Sequence, residues 1–143
     1  MKIIPIHHEP MRPEFNSPFS AGCAVEDARL VFISGCCTVP SYHKHPHDPI
    51  EEKQWVACDF REQTERTFAH MKLILDAAGA TFVNVVFLTI YLTDVSDQDV
   101  LNEISARLFG PDNPPPRTVL QVVALAHPDM SIEIDGVAAV PKT

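Results

Sequence analysis

Two residues of this 143-residue chain have the type and setting to act on a small carboxylate: Arg117 and Glu133. Arg117 follows Pro114-Pro115-Pro116 and opens an apolar segment. Polyproline is stiff, so the guanidinium starts from a fixed backbone, and a fixed fork suits bidentate capture of a carboxylate. From spacing alone, a structural salt bridge is the competing explanation. Glu133 lies between Ile132 and Ile134, just before the small apolar run that begins at Gly136. In a pocket, such a carboxylate can hold a water and exchange protons with it. On a solvated strand face it would do nothing.

A second group draws the eye. His43, His45 and His47 stand at alternate positions between Pro40 and Pro49. In an extended segment all three point to one side, and imidazoles so placed can ligate zinc. The simpler reading is a polar, proline-broken surface loop with incidental histidines, and no metal is expected. His70 reads as a satisfied structural histidine, and His127 as a turn residue before Pro128. Cys23, Cys36, Cys37 and Cys58 form no CxxC, and adjacent cysteines suit neither a disulfide nor a metal. They read as four reduced thiols in a cytoplasmic protein. No phosphate-cradling GxGxxG or GxxxxGK[ST] and no GxSxG elbow is present.

The elements that must position these residues follow from periodicity. Residues 1–16 are proline-broken and predict an extended N-terminal arm. Residues 21–25 and 30–37 predict a hairpin, with Gly35 where a side chain would obstruct something. Residues 38–54 predict one long enlarged loop. Residues 59–79 predict a helix, capped by Asp59 and Glu62 at the start and Gly79 at the end. Residues 81–93 predict a centrally buried strand and residues 96–109 a second helix. Residues 119–124 and 132–140 predict two more strands, expected to be neighbours joined near His127-Pro128-Asp129. That hairpin would bring Arg117 and Glu133 to one end.

Composition narrows the classes. The net charge is −8, which argues against a phosphate-driven nucleic-acid binder. No run approaches the ~20 apolar residues of a membrane span, and the N-terminus shows no apolar signal core. A single domain over residues 1–143 is expected.

Taken in order, the motifs resemble the Rid family of reactive intermediate (enamine/imine) deaminases, the YjgF type. They are Pro18-Phe19-Ser20, Ile33-Ser34-Gly35, Gln63-Thr64, Ala77-Ala78-Gly79 and Tyr91-Leu92-Thr93-Asp94, then Asn102-Glu103, Phe109-Gly110, Pro116-Arg117-Thr118-Val119 and Ile132-Glu133-Ile134. The match runs from about residue 17 to 140.

The resemblance implies an α+β, chorismate-mutase-like fold: a single β-sheet with two helices packed on one face. It also implies a homotrimer with inter-subunit sites, no cofactor, no metal, no membrane and no nucleic acid. It assigns Glu133 as the catalytic residue. Arg117 grips the substrate carboxylate, with Phe19, Ser20, Gly35, Cys36, Asn102 and Val119 lining the site. Phe19 stands where the family has tyrosine, and Cys36 where it often has glutamine. The enlarged, histidine-rich loop with Lys44 favours a dicarboxylate, 2-aminomuconate. The alternatives are a generalist 2-aminoacrylate/2-iminobutanoate deaminase and a non-catalytic binding protein for small 2-oxo acids.

Overall fold

The computed structural model describes all residues except 11, 13, 15, 16, 113 and 143. Its strands and helices, in chain order, are β1 (Lys2–Ile6), β2 (Gly22–Glu26), β3 (Ala28–Cys36), α1 (Pro49–Val56), α2 (Phe60–Ala77), β4 (Val85–Leu92), α3 (Gln98–Phe109), β5 (Arg117–Gln121) and β6 (Ile132–Pro141).

Helix α2 forms where the periodicity predicts it. The Asp59 carboxylate accepts from the Glu62 N–H at 2.9 Å, which satisfies one orphan donor of the first turn. Gly79 ends it at φ +70°, a conformation an L side chain resists. The Ala80 N–H then reaches the Leu75 carbonyl, and the Gly79 N–H that of Asp76, closing a Schellman motif. The inner face buries Phe68, Met71 and Leu75. Helix α3 adds Leu101 and Ile104 to the same core, against Leu88, Ile90, Ile132 and Ile134 of the sheet. Phe68, Phe82 and Phe109 close one end as three edge-to-face ring pairs with centroids 5.5–6.1 Å apart.

The main sheet has the order β3-β6-β4-β5. β5 runs parallel to β4, with Leu88 opposite Arg117 and Ile90 opposite Val119. β6 runs antiparallel to β4, with Tyr91 opposite Glu133. One face carries the helices. The other is left open and apolar: Phe32, Val137 and Phe87 are register partners across three strands, and Phe32 is 77% exposed.

Five expectations are corrected. β5 and β6 are not neighbours, because β4 lies between them. β4 is an inner strand with a partner on each edge, buried on its helix side (Leu88, Ile90, Leu92) and half-exposed on the other (Phe87, Thr89, Tyr91). α3 supplies the long crossover that a parallel β4–β5 pair requires. β2 and β3 are not a hairpin: Asp27 turns the chain at φ +51°, sending β2 to pair with β1 and β3 with β6. The sheet is therefore not single, and residues 2–6 of the expected arm are strand; residues 11, 13, 15 and 16 of that arm lie outside the described residues. Finally, the loop over 38–54 ends in a third helix. Asp48 caps α1 through the Ile50 N–H at 2.7 Å, Pro49 sits in its first turn, and Glu51 and Glu52 face the positive helix end. That signal stood in the sequence and the proline count masked it.

No helix among the described residues is long and apolar enough to cross a membrane.

Candidate functional site

Arg117 is placed where the edge strand β5 joins β4. The Leu88 N–H donates to the Pro116 carbonyl at 3.2 Å, so the stiff proline run is pinned to β4 where β5 begins. The guanidinium turns to the helix side of the sheet. One Nη donates to the Ser105 hydroxyl at 3.4 Å and the other to the Asn102 side-chain oxygen, both on α3. The Phe19 ring covers it, with its centroid 5.7 Å from Cζ. Ser20 holds that ring in place: its N–H and hydroxyl both donate to the Pro114 carbonyl, at 3.1 and 2.5 Å.

Two features mark the surroundings of this arginine. Among the described residues no carboxylate pairs with it, and its Nε is buried without an acceptor. Burial also pulls its pKa below the ordinary arginine value. A partly desolvated cation with an unused donor is set up for an anion.

Glu133 occupies the opposite face, with Tyr91 beside it across the β4–β6 ladder. The strand opposite is irregular there: the β3–β6 register slips between Ile33 and Cys36, and Gly35 lies in the slip. A Cβ on Gly35 would stand 2.0 Å from Glu133 Oε1, so only glycine leaves the carboxylate its room. Burial, and then the nearby Asp135 carboxylate, push the Glu133 pKa up from the ordinary glutamate value. Tyr91 donates to Asp135 at 2.8 Å, which orients that second acid. The sequence reading passed over Tyr91 and Asp135. Their signal was period two: Asp135 follows Glu133 by two residues and so shares its face.

The expected site residues thus fall into two groups. Phe19, Ser20, Asn102 and Arg117 meet at the α3 side, with Val119 next on the same face of β5. Gly35 and Glu133 meet on the open face. Two strand spacings and three residues of strand separate Arg117 from Glu133, roughly 10 Å in each direction, and they point to opposite sides of the sheet. Cys36 belongs to neither group as a side chain. It is fully buried in the core, and burial pushes its thiol up to about 12, so it is neither a contact nor a nucleophile.

The three loop histidines come together. Ring nitrogens of His43, His45 and His47 lie within 4.8 Å of one another. His70 is satisfied as expected: Nδ1 lies 3.1 Å from the Cys37 carbonyl and Nε2 2.5 Å from the Ser41 hydroxyl, which straps the loop to α2. All four cysteines are free thiols.

Fold and site define a small α+β protein with, on one sheet, a half-buried arginine that has no carboxylate partner among the described residues and a glutamate whose pKa is raised by burial and by Asp135. The family model described as Endoribonuclease L-PSP matches residues 10–140. Protein DfrA of Myxococcus xanthus is 34% identical over 92% of each chain. The human 2-iminobutanoate/2-iminopropanoate deaminase is 35% identical over 85% of this chain and 79% of its own. Among solved structures, RidA from a Psychrobacter species is 28% identical, covers 96% of this chain and 94% of its own, and has a TM-score of 0.63. A Rid family protein from Yersinia pestis, 24% identical over 98% of this chain and 100% of its own, has a TM-score of 0.78 and shows the fold. The chain belongs to the Rid/YjgF family.

Proposed function

We propose that the protein is a hydrolytic enamine/imine deaminase that converts small 2-imino acids to 2-oxo acids and ammonia. The observation that carries this reading is Arg117, a half-buried guanidinium with a buried free donor and no acidic partner among the described residues. The names of the human relative and of the chloroplast Reactive Intermediate Deaminase A of Arabidopsis thaliana (35% identical over 88% of this chain) support the imine chemistry.

The chemistry asks little of the protein. A 2-enamino acid tautomerises to its imine as a proton moves from nitrogen to the β-carbon. Arg117 binds the carboxylate and fixes the C2 carbon. Glu133, acting as the carboxylate, takes a proton from a water and that oxygen adds to C2. Returning that proton to nitrogen completes the carbinolamine; its hydroxyl proton then passes by way of Glu133 to the amine as the C–N bond breaks, so ammonia leaves and the 2-oxo acid remains. Positioning and proton transfer suffice because imines are already electrophilic.

One chain offers Arg117 and Glu133 on opposite faces, so a small substrate meets both only between two copies. The exposed Leu30, Phe32 and Phe87 of the open face support the homotrimer that the family resemblance implies. The net charge of −8 does not supply the basic face that RNA contact needs, whatever the family model's description.

The 2-aminomuconate expectation rested on loop cations reaching over a cleft. Nδ1 of His43 and Nδ1 of His47 are instead engaged by the Pro40 carbonyl and the Glu52 carboxylate. Small monocarboxylates are therefore the substrates of this reading. The test is ammonia release from 2-iminopropanoate generated in situ, with 2-aminomuconate run alongside. Wild type should accelerate decay of the former. Arg117→Ala should lose roughly 10- to 100-fold or more in kcat/KM, the worth of a charge-assisted bidentate contact, and Glu133→Gln should lose kcat. Saturable 2-oxo-acid binding with no acceleration would replace the enzyme by a binding protein.

A further inference from the structure

The three loop histidines face one another in a way that two neutral imidazoles do not tolerate. Nε2 of His43 and Nε2 of His47 are 2.9 Å apart. The second nitrogen of each ring is already committed. His43 Nδ1 lies 2.7 Å from the Pro40 carbonyl oxygen, and His47 Nδ1 lies 3.0 Å from a Glu52 carboxylate oxygen. Both of those oxygens only accept, so in each ring Nδ1 carries the hydrogen. Two Nε2 lone pairs are left aimed at each other. That contact is repulsive until a cation occupies the junction. His45 closes the third side, its ring centroid 4.6 Å from His43 and 4.8 Å from His47.

We propose that His43, His45 and His47 bind a divalent transition metal, with Zn2+ the best match. Three imidazoles form a borderline-soft, neutral donor set, which suits zinc and nickel or copper and disfavours calcium and magnesium. Nitrogens on a tetrahedral zinc stand roughly 3.3 Å apart, given bonds of about 2.0–2.1 Å. The His43–His47 pair therefore opens by a few tenths of an ångström, and His45, which is exposed, swings inward. The fourth position is left for water or another donor.

The surroundings support the donors. Metal-ligating histidines characteristically donate their other N–H to a carbonyl or carboxylate, which fixes the tautomer and the ring plane. Pro40 and Glu52 do this here. His127 backs up Glu52: its Nδ1 accepts from the Asp129 N–H at 3.0 Å, so its hydrogen sits on Nε2, which points at the Glu52 carboxylate from 3.9 Å. It is a support and not a fourth ligand. Glu52 belongs to α1, so the metal would fasten the loop to that helix. Trp55, the sole tryptophan, lies 5.4 Å from the His43 ring and 5.7 Å from the His47 ring, a built-in reporter. The site uses neither Arg117 nor Glu133, so it stands or falls apart from the deaminase reading.

The test uses the full-length, untagged protein stripped with chelator. Zn2+ is titrated by calorimetry and by competition with a chromogenic chelator, following Trp55 emission in parallel; Co2+ is added to read coordination number from its visible bands. The expected result is one Zn2+ per chain, bound more tightly than about 10 μM, with a Trp55 response that saturates at one equivalent and a four-coordinate Co2+ spectrum. His43→Ala and His47→Ala should each weaken binding by roughly 100-fold, and Glu52→Gln by about 10- to 100-fold. His47→Gln keeps the test open if an alanine variant unfolds. A double His7→Ala/His8→Ala variant should bind as wild type does. Binding weaker than about 10 μM, or unchanged in the His43 and His47 variants, or lost with His7 and His8, would overturn the site and leave only a shared proton between the rings.

Discussion

A guanidinium half removed from water without a carboxylate beside it sits in the fold at a cost, and an incoming carboxylate removes part of that cost. The same reasoning applies to Glu133, whose burial and proximity to Asp135 raise its pKa. The sign matters for both activity and stability. As a general base Glu133 must be ionised, so the acid limb of the kcat/KM profile should lie above the ordinary glutamate value of 4.5. Asp135→Asn removes the second cause of the shift, and the limb should move to lower pH; a limb that stays put would exclude Asp135 as a neighbour of the acting base. For stability, a raised carboxylate pKa means the folded state holds the proton more tightly than the unfolded one. That contribution is present at low pH and is lost as the pH rises through the folded pKa. Gly35 is the other residue that decides the site. Because the nearest atom to its missing Cβ is the flexible end of Glu133, Gly35→Ala should be mild in a melting experiment but severe in turnover. Equal losses in both would make Gly35 a folding residue only.

At the scale of elements, Gln63 joins three parts of the chain. It is 3% exposed on α2. Its amide donates to the carbonyls of Asp129, Val56 and Cys58, and its oxygen accepts from the Ser131 N–H at 2.9 Å. The helix, the end of α1 and the approach to β6 therefore share one side chain, and β6 is what carries Glu133. Gln63→Ala strands several buried backbone groups at once, so it should cost about 2–4 kcal/mol and lower the thermal midpoint accordingly. A change under about 0.5 kcal/mol, the range of ordinary surface substitutions, would mean water takes over the network.

At the scale of the molecule, the open sheet face is the element one chain cannot satisfy alone. Phe32 at 77% exposure, with Leu30 and Phe87, makes an apolar surface on the side where Glu133 stands. In the proposed homotrimer this face is covered, so Phe32→Glu should shift the sedimentation profile to that of a monomer. It should abolish turnover too, although it touches neither Arg117 nor Glu133. Full activity in a monomeric variant would show that one chain is a complete enzyme.

Local chemistry was legible in the sequence: both long helices, the caps of α2, the inner strand β4, and His70 as a structural residue. These depend on spacing and residue type, which operate over a few residues. Pairing was not legible. Periodicity says that β4 lies inside the sheet, but not that β6 and β5 are the strands that flank it, nor that Asp27 sends β2 away from β3. Strand order depends on contacts between residues far apart in the chain, and the alternation that reveals a strand is the same whichever neighbour it takes. The histidines make the same point. Their alternate spacing was visible, but only folding onto α1 turned Nδ1 of His47 toward Glu52 and left two Nε2 lone pairs facing. Residue type and spacing thus determined which groups this protein has, and the tertiary structure decided which of them meet.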